Sequence, residues 1–281
     1  MEHITGLNRD RNQQIITQAK ELNTLLLAHQ ITPIFLKGTA NLLAGLYTDI
    51  AERMVGDIDF IFSKETYPKA IKVLRENGYL EVGEYKYDFP EFKHYPRLKK
   101  EGAIAAVEIH KELLIEKFSD EFNYHFVAKD SQVLNGVSVL SYANKLNLSI
   151  IANQINDSGF YYKTIALRNG YDVFLLSKKT NSKKAVQMLH KLTHPLNCFL
   201  AACSEVFHEV DSLAYEQTAQ TAAYLKVFQR QFTDYRKTQK QHHRIKNYLF
   251  IKSRAAIVYK AILYKDYRVW FFRRVTDRNW Y

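Results

Sequence analysis

Gly56-Asp57-Ile58-Asp59-Phe60-Ile61-Phe62 reads as a short buried strand that carries two carboxylates. Successive strand side chains alternate faces, so Asp57 and Asp59 project from one face while Ile58 and Phe60 face the other. Two neighbouring anions in an apolar strand are costly unless a cation or strong donors neutralise them. Hard oxygen ligands at this spacing suit Mg²⁺ bound together with a phosphate. A D-x-D triplet by itself is a weak signal, because most such pairs are solvated in loops, so its flanks decide the reading.

Upstream, Thr32-Pro33-Ile34-Phe35-Leu36 reads as a strand that ends in Lys37-Gly38-Thr39, and Ala40 to Tyr47 reads as an amphipathic helix. A strand, a glycine turn and a helix N-terminus together let main-chain N–H groups face a phosphate, with Thr39 as N-cap and Lys37 beside it. Downstream, Ala103 to His110 reads as a further strand with Glu108 and His110 on one face, which supplies a third carboxylate.

The ordered series Leu36-Lys37-Gly38, Leu46-Tyr47-x-Asp49, Arg53-x-x-x-Asp57-Ile58-Asp59, Gly78-Tyr79, His94-x-Pro96 and Glu108-Ile109-His110 resembles the uncharacterised nucleotidyltransferase family of the DNA polymerase beta superfamily. The match runs through the first half of the chain. It continues more faintly in Leu167-Arg168 and in Asp172 with Leu175-Leu176. Gly38-Thr39 stands where the superfamily usually has Gly-Ser or Gly-Gly, and Lys111 stands where the family often has Trp.

The resemblance implies an enzyme that moves NMP from an NTP to an acceptor hydroxyl with release of pyrophosphate. Asp57 and Asp59 would bridge two Mg²⁺ ions, and Glu108 would complete the site of the ion that activates the acceptor, or would itself take the proton. Gly38 and Thr39 would hold the terminal phosphates, with Lys37 and Arg53 placed to screen the triphosphate. His94 and His110 join the nucleotide-binding candidates, although a histidine bonded to backbone explains His94 equally well. Arg168 and Asp172, four apart on one helix face, read as an intrahelical pair before they read as cleft residues.

Length and composition are those of a globular protein: 281 residues, 47% of them hydrophobic, suffice for a full core in one large or two ordinary domains. Met1 to Asp10 has no apolar signal core and no long uncharged apolar run follows, so a cytoplasmic location is expected. Cys198 and Cys203, five apart in an apolar helical stretch, read as reduced core thiols. His190, His194 and Cys198 would make a metal face on an unbroken helix, but Pro195 interrupts the run. No Walker A loop, dinucleotide fingerprint or nucleophile elbow is present in the sequence.

Periodicity changes near residue 140. Residues 1 to 139 read as an α/β (α+β) catalytic domain, a small mixed sheet of nucleotidyltransferase type flanked by helices. It contains an N-terminal helix within 9 to 29, a helix from Lys64 to Asn77 between Ser63 and Gly78, and strands at Tyr79–Glu84, Phe92–Lys99 and Ala103–His110. The last two are joined through Lys100-Glu101-Gly102 as a hairpin. Residues 140 to 281 read as a C-terminal helical bundle, with helices at Ser141–Gln154, Tyr161–Lys179, Lys184–Leu192, Pro195–His208, Asp211–Gln231 and His242–Tyr264.

From Lys226 to Tyr281 the chain carries fifteen Lys and Arg against Asp234, Asp266 and Asp277, a net of +12, while residues 1 to 225 sum to −1 (25 − 26). This asymmetry points to a polyanion, and RNA is slightly favoured as acceptor over a small molecule or a protein, with Tyr248, Tyr259 and Trp270 available to stack on bases. The alternative is a non-catalytic or toxin–antitoxin-type nucleic-acid-binding module on the same fold. The run Trp270-Phe271-Phe272-Arg273-Arg274 has the composition of an interfacial anchor, but a membrane surface is not the expected partner.

Overall fold

Short runs of Ile, Val and Phe around single polar residues build a mixed sheet whose strands are mostly two to four residues long. The computed structural model describes residues 2–82 and 93–276. The strands are β1 (Ile34–Phe35), β2 (Ile58–Ile61), β3 (Leu80–Glu81), β4 (Leu98–Lys99), β5 (Val107–His110), β6 (Gln132–Leu134) and β7 (Val137–Val139). Their order across the sheet is β3-β4-β5-β2-β1-β7-β6. β2 runs parallel to β5 and antiparallel to β1, and β1 runs parallel to β7.

The described residues up to Leu225 belong to one compact unit and those from Lys226 onward to a second. In the first unit the sheet is accompanied by α1 (Glu2–Ala28), α2 (Lys37–Leu43), α3 (Tyr67–Glu76) and α4 (Tyr124–Ala128). The helices α5 (Tyr142–Ile151), α6 (Gly159–Tyr162), α7 (Leu167–Ser177), α8 (Ser182–Gln187) and α9 (Thr193–Val206) follow. The boundary between units falls inside α10 (Ala219–Thr233), and the second unit holds α11 (Tyr235–Leu263) and α12 (Lys265–Thr276).

One core runs through the first unit. Phe35, Phe60, Ile58, Leu74, Ile109, Leu146 and Phe199 are fully buried, and Phe35 packs edge-on against Phe60 with ring centroids 5.7 Å apart. α1 is tied to this core by buried polar side chains as well as by leucines. Asn12 Nδ2 donates to the carbonyls of Ile50 (2.6 Å) and Arg53 (2.7 Å), and Gln18 exchanges two hydrogen bonds with the Ala105 backbone (2.9 and 3.0 Å). Such fully satisfied buried amides fix one register where leucines alone would tolerate slippage.

Several boundaries differ from the sequence reading. The helix expected from Ala40 begins at Lys37, so Thr39 lies in its first turn and is not the N-cap, which is Leu36. Ser63 does not cap α3: the helix begins after Thr66, and Ser63 Oγ accepts from the Thr66 N–H (3.2 Å) one turn earlier. Gly78 does follow the end of α3 in the left-handed region (φ 85°), where a Cβ would be strained.

The strand expected at Tyr79–Glu84 is confined to Leu80–Glu81 and that at Phe92–Lys99 to Leu98–Lys99; residues 83, 84 and 92 lie outside the described residues. The segment read as one helix from Tyr161 to Lys179 is broken between α6 and α7, with Lys163 in the left-handed region (φ 56°). The helix read as Asp211–Gln231 is a 3₁₀ turn (Asp211–Leu213) followed by α10. α11 starts at Tyr235, seven residues earlier than expected, because Asp234 caps it by accepting from the Lys237 N–H (3.0 Å). Beyond Ile151 the helix α5 continues as a π-helical turn, Ala152–Asn156. Cys198 and Cys203 are buried free thiols, and His194 lies 3.7 Å from Cys198 Sγ and edge-on to the Phe160 ring. Among the described residues no helix is long and apolar enough to cross a membrane.

Candidate active site

Parallel pairing of β2 with β5 sets Asp59 opposite Glu108 and Ile61 opposite His110. Ile58, Phe60, Val107 and Ile109 fill the core on the other face, so burial of the apolar set presents the polar set together. Asp57 stands one residue before β2, in the same alternation as Asp59. The Asp59, Glu108 and His110 ligand atoms lie within 4.8 Å of one another.

Two cations are woven into this cluster. Lys37 Nζ contacts Asp59 Oδ1 at 2.5 Å and Glu108 Oε2 at 3.6 Å. Arg97 Nη2 donates to Glu108 Oε1 at 2.6 Å and to Asp57 Oδ2 at 3.2 Å. Asp57, Asp59 and Glu108 are therefore brought together, each within one cation of the next. His110 Nε2 is 2.9 Å from Asp59 Oδ1, and its Nδ1 has no hydrogen-bond partner among the described residues.

The titration of these groups follows from that arrangement. Burial pushes the Asp59 carboxyl up, and the Lys37 ammonium and the His110 ring more than reverse it, leaving Asp59 below the usual carboxylate range. Asp57 moves the opposite way, raised by burial and by the charges of Glu108 and Asp59 against the opposing pull of Arg97. Burial lowers the Lys37 ammonium, but Asp59, Glu108 and Asp57 raise it further than burial depresses it. His110 is depressed by burial, which outweighs the support of Asp59, so it is neutral at pH 7. His94, bridged to His110 in the sheet with ring centroids 5.4 Å apart, is likewise depressed by burial and by that neighbour.

The strand-to-helix turn beside the cluster is shaped by close packing. Lys37 itself adopts the left-handed region (φ 51°), uncommon for a residue with a side chain. A Cβ on Gly38 would meet Val55 Cγ2 at 2.9 Å, so glycine is what lets the 53–55 segment lie against the turn. Thr39 is fully buried, and its hydroxyl donates to the Asp57 carbonyl at 2.8 Å, clamping the approach to β2 onto α2.

A cleft of about 240 Å³ adjoins this face. Lys37, Arg53, Lys93 and Arg168 give it four cations; His94, His110, Asn156, Asp157 and Asp172 are also in its wall. Burial lowers the Lys93 ammonium, as does nearby Lys37. Asp172 is not paired within its own helix. It receives Arg53 Nε at 3.2 Å and the Tyr47 hydroxyl at 2.8 Å, so α7 is locked to the segment between α2 and β2. Arg168, expected as its intrahelical partner, faces the cleft instead. Burial raises the Asp172 carboxyl, with Arg53 and Tyr47 pulling against it.

Arg97, Lys93 and Asn156 were not singled out in the sequence. Arg97 was within reach of register arithmetic: Leu98 pairs with Val107, which sets Arg97 against Glu108. The expected three-residue connection puts the hairpin three residues out of this register, which turns Arg97 to the wrong face.

The carboxylate cluster fits a hard divalent ion by its chemistry: oxygen donors predominate, and the Asp59, Glu108 and His110 ligand atoms converge on one face of the sheet. Two Helicobacter pylori crystal structures are similar to the chain. One is a candidate nucleotidyltransferase, 14% identical over 86% of this chain and 96% of that one, with a TM-score of 0.38. The other is JHP933, 14% identical over 89% and 99%, with a TM-score of 0.36. No curated protein matches the chain. The family model described as uncharacterised nucleotidyltransferase matches residues 1–208, which includes every carboxylate and cleft residue named above, and the chain belongs to that family.

Proposed function

We propose that this protein is a metal-dependent enzyme that transfers NMP from an NTP to an acceptor hydroxyl, releasing pyrophosphate. The observation that carries this reading is the juxtaposition of the Asp57, Asp59 and Glu108 carboxylates with a four-cation cleft, linked through Lys37. Anionic and cationic halves of one site match a substrate whose phosphates are held by cations while metal is held by carboxylates.

Asp57, Asp59 and Glu108 would hold Mg²⁺, two ions by family resemblance. When bound it would neutralise the phosphoryl oxygens and lower the pKa of the acceptor hydroxyl. Lys37, Arg53, Lys93 and Arg168 bind and orient the triphosphate. Gly38 and Thr39 serve it through main-chain N–H groups, since the Thr39 hydroxyl is engaged with Asp57. His110, neutral and bonded to Asp59, fixes that carboxylate's orientation, and His94 backs His110. Where Glu108 does not complete the metal site, it would itself take the acceptor's proton. Lys37 and Arg97 bridge these carboxylates, and a metal held there would compete with them for the same oxygens.

Support for RNA as acceptor is confined to the +12 charge of residues 226–281. The test is to incubate the protein with each α-labelled NTP, with and without Mg²⁺, alongside separated pools of RNA, protein and metabolites. Label should enter one pool with stoichiometric pyrophosphate and only with metal. Label transfer that survives EDTA, or that is unchanged in Asp57→Asn, would end this reading.

A further inference from the structure

We infer that α11 is a docking ridge for an anionic lipid surface. Tyr248, Ile251, Ala255, Val258, Tyr259 and Ile262 follow the spacing of one helix face, and every one of them is exposed. Ile251 and Ile262 are 66% and 67% accessible, values of side chains standing clear of the protein. Lys252 and Arg254 lie on the two margins of this face, and the same face continues toward the helix N-terminus as Lys237, Lys240 and Arg244. Apolar ridge, aromatic ends and cationic margins together are the pattern of a helix that lies in the plane of a membrane interface.

The charge selects the occupant. The segment from Lys226 carries +12, so a second copy of this chain would be repelled, and the partner must be anionic. RNA would satisfy the cations and stack on tyrosines but has no use for exposed Ile251, Val258 and Ile262. A folded protein partner would need a groove shaped to a narrow convex ridge, whereas a fluid bilayer with acidic headgroups accepts it as it stands. The aromatic and cationic run 270–274 marked in the sequence lies on α12, with Trp270 buried and Phe272 exposed, and is not part of the ridge.

The test uses the full chain and does not depend on catalysis. Co-sedimentation is measured with vesicles of phosphatidylcholine alone and of phosphatidylcholine with phosphatidylglycerol, with single-stranded RNA titrated in parallel. Binding to the anionic vesicles is expected to exceed binding to neutral ones by about tenfold or more. Ile251→Asp with Ile262→Asp should lower it by about tenfold or more while melting temperature and NTP turnover stay unchanged. Cys198 and Cys203 being buried, an environment-sensitive dye on Ala255→Cys should shift to the blue only with anionic vesicles. Absence of vesicle binding at low salt, with RNA bound alike by wild type and the double variant, overturns the inference in favour of nucleic acid. Vesicle binding that the double variant leaves intact overturns it in favour of charge alone.

Discussion

The carboxylate face of the first unit and the helices of the second handle charge in opposite ways. On the sheet, Asp57, Asp59, Glu108, Lys37 and Arg97 close into one chain of contacts in which each anion meets a cation. From Lys226 onward, cations outnumber carboxylates by fifteen to three and most side chains are exposed. Paired, half-buried charges fix geometry to a fraction of an ångström and respond little to salt. A dense one-sign surface fixes no geometry and responds strongly to it. On the function proposed above, chemistry would belong to the first kind of region and recognition of an extended anion to the second.

The contrast is tested most severely at its buried end. Asp57→Asn and Asp59→Asn should each lower NMP transfer by about three orders of magnitude or more. Stability should separate them. Asp57→Asn relieves a like-charge cluster and holds or raises the melting temperature, whereas Asp59→Asn strands Lys37 and His110 and costs about 1–2 kcal/mol, the partial exposure of Lys37 limiting the loss. Thermal melts beside turnover assays decide it; equal melting temperatures would mean that the pairing around Asp59 is not structural.

Next in size is the Arg53–Asp172 link, of which both side chains are nearly buried. Asp172→Ala should cost about 3 kcal/mol by leaving the guanidinium without its carboxylate, and should raise KM for the NTP more than it lowers kcat. Urea denaturation and initial-rate kinetics on the same preparation separate the two effects.

A pH experiment sharpens the comparison further. Lys145 is 3% exposed, has no hydrogen-bond partner for its ammonium among the described residues, and is lowered by burial to about 8. Between about pH 8 and the ordinary lysine value near 10.4 the unfolded chain holds a proton that the folded chain has released, so this group makes stability rise with pH across that window. Lys145→Met should therefore stabilise the protein at pH 7 by about 1–3 kcal/mol, an advantage that fades toward pH 10. Denaturation midpoints of both proteins from pH 6 to 10 provide the check, and a constant difference across the range would refute the assignment.

The smallest effect is expected in the second unit. Lys252→Glu with Arg254→Glu should leave folding stability within about 0.5 kcal/mol, because both side chains are exposed. Turnover of free NTP should also be unchanged. A large loss of stability would show that these cations are structural, erasing the distinction drawn above.

Much of the first unit was legible because β2 and β5 carry unambiguous alternation. Once Asp57, Asp59 and Glu108 were read onto strand faces, a single parallel pairing brought them together. Residues whose placement depends on distant contacts were not legible. Thr39 has the right chemistry for an N-cap, yet tertiary packing starts the helix at Lys37 and turns the hydroxyl to Asp57. Asp172 and Arg168 have the spacing of an intrahelical pair, but Arg53, over a hundred residues away in sequence, competes for the carboxylate and wins. Arg97 escaped notice because a register error of three residues reverses every side chain of a strand. In the second unit the periodicity of α11 was visible, but nothing local distinguishes an apolar stripe that is buried from one left facing solvent.

The π-helical turn Ala152–Asn156 has a consequence for how such a cleft changes over generations. A wide turn of this kind is what an α-helix forms when it accommodates one additional residue without breaking. Here the widened turn delivers Ala152, Asn156 and Asp157 to the cleft wall. Removing a single codon from it would rewind the segment and swing Asn156 and Asp157 by about a quarter turn or more, out of the cleft wall. One wall of the cleft can thus be altered by a single insertion or deletion in this turn, while the carboxylates of β2 and β5, on separate elements, keep their places.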